Sequence, residues 1–399
     1  MHAKQVCHKI MNNALDWMHT LRREALNSCI LAATDGRQLS VTGLGRAIRS
    51  TAKEKHCIKR ADRLLSNPRL YREHRDIYHA ATKIVIGATR RPVILVDWSD
   101  LDGYKQHYLL RAAVALEGRS LTLYEEAHTL ATKDKPKTHR VFLKRLKAML
   151  ATDCVPIVVT DAGFRTAWFK LVEQMGWDWV GRVRNRHLFR IDEKAPWQDC
   201  KTYYPVATTT PKYLGEVQLT QKHAVLCHLV IVKSKPKGRS KITRFGERER
   251  SGKSEQNAQR EREPWLLATS LLVSSKLAKR VVNIYAARMQ IEEAFRDTKS
   301  VQFGLGFELN RSYSTKRIQI LLLIAMLAIL VLWLLGSIAR TTGQYRHYQA
   351  NTVKSRHVLS LIYLGLRVAS DERFTMDHDD FIYAANEIWK MMGQYDFTG

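Results

Sequence analysis

The sequence predicts an α/β protein with a mixed sheet, and three observations carry that prediction. Short apolar strands ending in acids alternate with amphipathic helices between about residues 91 and 185. Helical segments precede this alternation and resume near residue 280. The 399 residues, 45% hydrophobic and 26% charged, have the makeup of a folded chain of two or three compact units rather than a disordered one.

Residues 1–85 read as short apolar-periodic helices broken by Gly and Pro. The N-terminal stretch is amphipathic and lacks an apolar signal core, so export is not expected. In RPVILVDWSD, four apolar residues from Val93 to Val96 run into Asp97, the pattern of a central buried strand. YLLRAAVALEGRSLTLYEEA gives two strands around Glu117-Gly118, and THRVFLKRLKAMLA gives a helix. VPIVVTDAGF is a second buried strand ending in Asp161, followed by a helix in RTAWFKLVEQMG and a strand in WDWVGRVRN. Strand-like runs (HLFRI, AVLCHLVIV, PWLLATSLL) then surround the polar stretch Lys233 to Glu263. With eleven basic and five acidic residues, that stretch reads as a mobile loop inside a β-rich insertion. RVVNIYAARMQIEEAFRDTKS reads as one helix, and further helices are expected from about residue 346. Ile318 to Ala339 is free of charge for 22 residues. Its length suits a membrane span, but a helix apolar all round also suits burial in a large core, and the polar stripe described below, which ends at Lys299 about 20 residues upstream, favours the buried helix.

Sixty-five Lys plus Arg against 38 Asp plus Glu leave a formal charge of +27, which calls for a polyanionic partner. Nucleic acid is the first candidate and an anionic membrane the second. Six scattered cysteines without a Cys-x-x-Cys pair exclude a zinc ribbon and fit a reducing, cytoplasmic setting. Ser251-Gly252-Lys253-Ser254 lacks the glycine spacing and the strand of a phosphate-binding loop, and Asp377-His378-Asp379-Asp380 reads as a solvated acidic turn.

Three acids form the informative constellation. Asp97 and Asp161 end buried strands, where α/β sheets place their sites; either alone also fits a turn cap. The third, Glu292, lies on the predicted helix Val281–Lys299. Taking about 100° per residue from Tyr285, Arg288 falls near −60°, Glu292 near −20° and Lys299 near −40°, one polar stripe beside the apolar face of Ile284, Ile291 and Phe295. An i,i+4 salt bridge accounts for Arg288 and Glu292 but leaves Tyr285 and Lys299 in the same line unexplained. Two Asp and a Glu offer only oxygen ligands, which suits two Mg²⁺ ions, with Mn²⁺ able to substitute, and in-line attack on a phosphodiester. Arg288 and Lys299 would neutralise phosphate and Tyr285 donate a hydrogen bond to it.

At these residues the chain resembles the DDE transposases of bacterial insertion sequences, within the retroviral-integrase superfamily. The hairpin-forming branch, the insertion-sequence-four family, carries Tyr, two residues, Arg, three residues, Glu, six residues, Lys; Tyr285, Arg288, Glu292 and Lys299 fit every spacing. Asp97 in VDWSD and Asp161 in DAGF match the other two acids. The resemblance implies a ribonuclease-H-like core interrupted by a β-strand insertion and flanked by helical N- and C-terminal regions. The expected divisions are 1–85 for DNA-end binding, 86–189 and 271–345 for the core, 190–270 for the insertion with its loop 233–263, and 346–399 for dimer or DNA contacts. It also implies cut-and-paste transposition through a hairpin, double-stranded DNA (terminal inverted repeats and target) as partner, and a homodimer on that DNA. Trp265 matches an aromatic that stacks on a flipped base, although a plain strand-core role fits it equally. Arg184 matches a DNA-contacting position, and Met289 stands where some relatives have a second Trp.

LSVTGLGRAIR followed by AKEKHCIKRADRLL reads as a helix-turn-helix, with Lys55, Lys59, Arg60 and Arg63 on the helix for the major groove. Three classes follow: a metal-dependent transposase, a DNA-binding regulator with a structural α/β body, and a membrane-anchored protein. The Tyr285–Lys299 stripe favours the first.

Overall fold

The computed structural model describes residues 2–184, 187–222, 224–233, 251–252 and 263–395, so most of the basic stretch 233–263 lies outside the described residues. The chain divides into two units, Met1–Pro156 with Met289–Gly399, and Ile157–Arg288.

The first unit begins with five helices: α1 (His2–Ala14), α2 (Thr20–Gly36), α3 (Val41–Ala47), α4 (Glu54–Leu65) and α5 (Pro68–Ile86). Local chemistry sets their starts. Ser40 Oγ accepts the Gly43 N–H at 3.0 Å, and Asn67 Oδ1 caps α5 ahead of Pro68 at its first position. Gly45 lets α3 meet α4, since a Cβ there would sit 2.4 Å from Ile58 Cα. An antiparallel sheet of order β3-β2-β1 follows, from β1 (Val93–Asp100), β2 (His107–Ala115) and β3 (Ser120–Thr129), its hairpin turned at Gly118 with φ +69°. Helix α6 (Pro136–Met149) covers one face, with Phe142 stacked on Tyr124 and Arg145 paired to Glu126 at 2.6 Å.

The second unit holds β4 (Ile157–Thr160), α7 (Thr166–Gln174), β5 (Asp178–Val183), β6 (Leu188–Arg190), β7 (Gln198–Asp199), β8 (Lys212–Leu219), β9 (Val225–Val232), β10 (Trp265–Thr269) and α8 (Leu277–Ala286). Its strands run in the order β4-β5-β10-β9-β8-β6-β7, with β4 and β5 parallel and the other neighbours antiparallel. The apolar residues of β5 bury against α7, where Phe169 stacks on Trp179 at 4.0 Å. Gly181 makes room, because a Cβ would meet Phe169 Cζ at 2.4 Å.

The chain returns to the first unit with α9 (Met289–Lys299), α10 (Thr315–Thr341), α11 (Leu361–Ala369) and α12 (His378–Gly393). Helix α10 is long and apolar enough to cross a membrane, and Ile318 through Ala339 are all buried within the protein. It packs against α2, α5, α11, α12 and β3. Gln319 near its start supplies the edge strand β3 with the partners a further strand would give. Its Nε2 donates to Glu125 C=O and its Oε1 accepts Ala127 N–H, both at 2.9 Å. Thr82 Oγ1 donates to the next outward carbonyl, Leu123, at 2.9 Å. Further along, Gly336 lies against the Leu361 carbonyl and Gly365 against the Leu332 carbonyl, so α10 and α11 touch backbone to backbone.

Two local expectations change. The acids at 377–380 are a helix start rather than a solvated turn: Asp377 caps α12 and Asp380 completes a reciprocal capping box. The C-terminal helices begin at Leu361, the residues before them holding only a short 3₁₀ turn at Gln344–Tyr348.

Candidate active site

Asp97 and Ser99 project from one face of β1 and Trp98 from the other, by the period of a strand. Trp98 lies on the α6 side, its Nε1–H 3.2 Å from His139 Nε2; burial pushes His139 down to about 4, so its ring is a neutral acceptor. On the opposite face, Asp97 stands directly across from Arg111 of β2, and Arg111 across from Glu125 of β3. Arg111 and Glu125 are fully buried and joined at 2.7 Å. Burial raises the Glu125 pKa, opposed by Arg111 and by the Tyr78 O–H at 3.1 Å. The Arg111 guanidinium also donates to Thr298 Oγ1 at 3.0 Å and lies 5.0 Å from the Phe295 ring. Helix α9 therefore docks on the face that carries Asp97.

Side chains clamp α9 at both ends. Gln290 exchanges hydrogen bonds with the Leu116 backbone at the β2–β3 turn (2.9 and 2.6 Å). Lys299 Nζ donates to Ser99 Oγ and to Asp100 C=O, both at 2.6 Å, at the end of β1. Helix and strand thus run the same way. Stepping back from the Lys299–Ser99 contact, Asp97 lies roughly 7 Å along the strand and Glu292 roughly 10 Å along the helix. Seven residues apart, Glu292 and Lys299 align to within about 20° around the axis. Glu292 is exposed in the first turn of α9, and Asp97 is half-buried with Oδ1 accepting the Trp98 N–H at 2.8 Å.

In the second unit, Asp161 follows β4 and folds back into an Asx turn, its Oδ1 accepting the Gly163 N–H at 2.8 Å. Tyr285 of α8 is 4% exposed. Burial raises its pKa; the charges acting on it are Arg288, Arg182 and Arg184, which lower it, and Asp161, which raises it. These five residues therefore share one neighbourhood. Trp265, half-exposed at the start of β10, meets the Tyr285 ring edge to face at 5.0 Å. Arg184 pairs with Glu263 at 3.3 Å. Arg182 was not among the expected residues; it lies in β5, two positions before Arg184, which follows the strand, and that i,i+2 spacing was the signal available for it.

The single predicted helix 281–299 is two. Helix α8 ends at Ala286, and Ala287 and Arg288 bond back three residues, to Ile284 and Tyr285 C=O at 3.2 and 3.0 Å, before α9 begins at Met289. The angular stripe therefore holds for Glu292 and Lys299 alone, while Tyr285 and Arg288 belong with Asp161. No Gly or Pro marks this break in the sequence.

On α4, Lys55, Lys59, Arg60 and Arg63 are all exposed, with Cys57, Ala61 and Leu64 turned inward; Arg60 also reaches Ser28 Oγ of α2 at 3.0 Å.

Asp97, Asp161 and Glu292 offer oxygen ligands only, a donor set that fits Mg²⁺ or Mn²⁺ and not zinc. Among the described residues, no three His, Cys, Asp or Glu side chains gather as a metal-holding group.

Contrary to the expectation that both acids end their strands, β1 continues past Asp97 to Asp100, and only Asp161 follows its strand. An acid within β1, another just after β4, an arginine cluster around a buried tyrosine and a strongly basic chain describe an enzyme of nucleic-acid phosphoryl transfer. The chain belongs to the transposase DDE domain family, which matches residues 88–331, more than half of its length. The matched span runs from just before β1 into α10 and includes Asp97, Asp161, Glu292 and Lys299. No curated protein matches the chain. Membership makes the protein a transposase, a DNA endonuclease and strand transferase acting in DNA transposition and recombination, in a family that generally uses divalent metals such as Mg²⁺.

Proposed function

We propose that this transposase moves an insertion sequence by cut-and-paste, in the manner of the hairpin-forming insertion-sequence-four branch with its ribonuclease-H-like core. Asp97, Asp161 and Glu292 are the catalytic acids and the residues that would hold two Mg²⁺ ions. When bound, these ions neutralise charge on the phosphodiester and polarise the attacking and leaving oxygens. Lys299, held at the end of β1, meets a phosphate beside Asp97 and Glu292. Arg288 and Arg184 neutralise further phosphates, and the Tyr285 hydroxyl donates a hydrogen bond there. Trp265, with part of its ring exposed, stacks on a base flipped from the element's end. Lys55, Lys59, Arg60 and Arg63 contact the terminal inverted repeats, and a homodimer pairs two ends before joining them to target DNA in the bacterial nucleoid.

The observation that carries this reading is the clamped helix α9, which sets Glu292 and Lys299 along the strand that presents Asp97. The test incubates wild type and Glu292→Ala with linear element ends and Mg²⁺, with and without EDTA, on denaturing gels. Metal-dependent nicks and slow-migrating hairpins from wild type alone, with end binding retained in the variant, are expected. Binding without cleavage by wild type in Mg²⁺ or Mn²⁺ would leave a DNA-binding regulator or a dead copy.

A further inference from the structure

A cavity of about 310 Å³ opens in the first unit where β1 ends. One wall is the β1–β2 loop, the other the segment 307–313, and Lys299 and Ile318 lie between them. Two tyrosines stand in these walls, Tyr104 at 83% and Tyr313 at 73% exposure. Such exposed rings usually sit on loose loops, but here the backbone beneath both is fastened. His107, 7% exposed, bonds through Nδ1 to Asp102 Oδ2 at 3.2 Å and through Nε2 to the Tyr313 C=O at 3.0 Å. Asp102 in turn accepts the Gln106 and His107 N–H groups at 3.0 and 2.8 Å. One buried histidine thus holds both walls while leaving two aromatic rings in water. The space is at the small end of ligand pockets, the size class of a single flat ring system.

Charged groups of both signs line it. Lys299 and Arg311 supply cations; of the three carboxylates, Asp102 is held by His107, Asp100 lies 3.8 Å from Lys133, and Glu308 is exposed and only accepts hydrogen bonds. From Asp97 to the strand end at Asp100 is roughly 10 Å, a distance that an unstacked strand covers in one or two nucleotides.

We propose that this cavity takes one unstacked nucleobase of the DNA held at the active site, stacked on Tyr104 and Tyr313, with its amino edge toward Glu308 and its phosphate toward Arg311. This rests on the reading above, in which Asp97 and Lys299 meet DNA. Every residue that lines the cavity belongs to the first unit. The base comes either from the element's flank or from the target, since both strands pass the same acids.

The test walks 2-aminopurine, whose fluorescence reports unstacking and restacking, through the flanking positions of an element end and, separately, through a target duplex. Wild type is expected to change the signal at one position in one of the two duplexes. Tyr104→Ala/Tyr313→Ala loses that change and binds that duplex about tenfold to a hundredfold more weakly, as loss of base stacking dictates. Tyr104→Phe/Tyr313→Phe restores both, because the ring and not the hydroxyl is needed. A signal and affinity unchanged in the double-alanine variant, while wild type still cleaves DNA with Mg²⁺, overturns the pocket and leaves the transposase reading intact. Absence of cleavage by wild type overturns the reading on which it rests. Because both rings are exposed, thermal unfolding of the variants should match wild type, which separates lost stacking from lost folding.

Discussion

Asp97 and Arg111 face each other across β1 and β2, so both project from the sheet face on which α9 lies. Asp97 is half in solvent, whereas Arg111 is 1% exposed and bound to Glu125 and Thr298. One strand pair therefore carries an accessible acid and, at the same level, the buried ion pair that seats the helix bearing Glu292.

That pair should dominate the stability of the first unit. Arg111→Ala leaves Glu125 buried without its cation, and a loss of about 3–5 kcal/mol is expected in urea unfolding. Arg111→Met combined with Glu125→Leu should recover most of it. A double variant as unstable as the single would show that packing, not the stranded charge, sets the cost.

Lys299 should make DNA binding sensitive to alkaline pH. Burial lowers its pKa, as does Arg111, against the pull of Asp100 and Glu308. Its charge is therefore lost at a lower pH than that of an ordinary lysine, and affinity for element ends should fall as pH rises toward that range. Lys299→Arg should bind with a flatter pH profile. Equal profiles for the two proteins, measured by anisotropy, would remove Lys299 from the phosphate contacts.

Asp297, on the side of α9 facing Arg119, gives a stability prediction of definite sign. Burial pushes it up to about 6 even with Arg119 at 2.9 Å. Between the ordinary aspartate value of about 4 and about 6, the folded protein holds more protons than the unfolded chain, so stability falls as pH rises through this window. The loss above pH 6 is on the order of 2–3 kcal/mol. Asp297→Asn should remove that slope in urea midpoints taken at pH 4.5, 5.5 and 7. A slope that persists in the variant would assign it to other groups.

The α10–α11 crossing should not accept a methyl group. In Gly336→Ala the new Cβ would fall 1.9 Å from the Leu361 O, and in Gly365→Ala 1.9 Å from the Leu332 O. Each should cost roughly 1–3 kcal/mol or more and lower the melting temperature. Variants that melt like wild type would mean that the helices separate easily there.

Some of this was legible and some was not, for physical reasons. β4 could be read because continuous apolar residues run into an acid, β1 likewise although it continues beyond Asp97 to Asp100, and the β2–β3 hairpin because its turn glycine interrupts two apolar runs. Asp97, Asp161 and Glu292 stood out by chemistry and spacing. The turn at Ala287–Arg288 did not, since apolar periodicity continues across it and no Gly or Pro marks it. β8 escaped notice because KYLGEVQL is largely solvent-facing and bends at Gly215, with φ +106°. Arg182, two residues before Arg184, carries no motif of its own, and only the folded chain brings it to Tyr285. The cavity between Tyr104 and Tyr313 joins residues 209 positions apart, beyond the reach of any local pattern.

A rod that is oily on every side has no inherent azimuth, because each rotation about its axis buries nearly the same area. For α10 the azimuth and depth are written by its least hydrophobic members. Gln319 fits only where two outward backbone groups of β3 await it, and Gly336 only where the Leu361 carbonyl comes flush. The leucines between supply the adhesion and can trade identities at constant volume. Orientation, and with it the seating of the β3 edge, is encoded in an amide and a missing side chain.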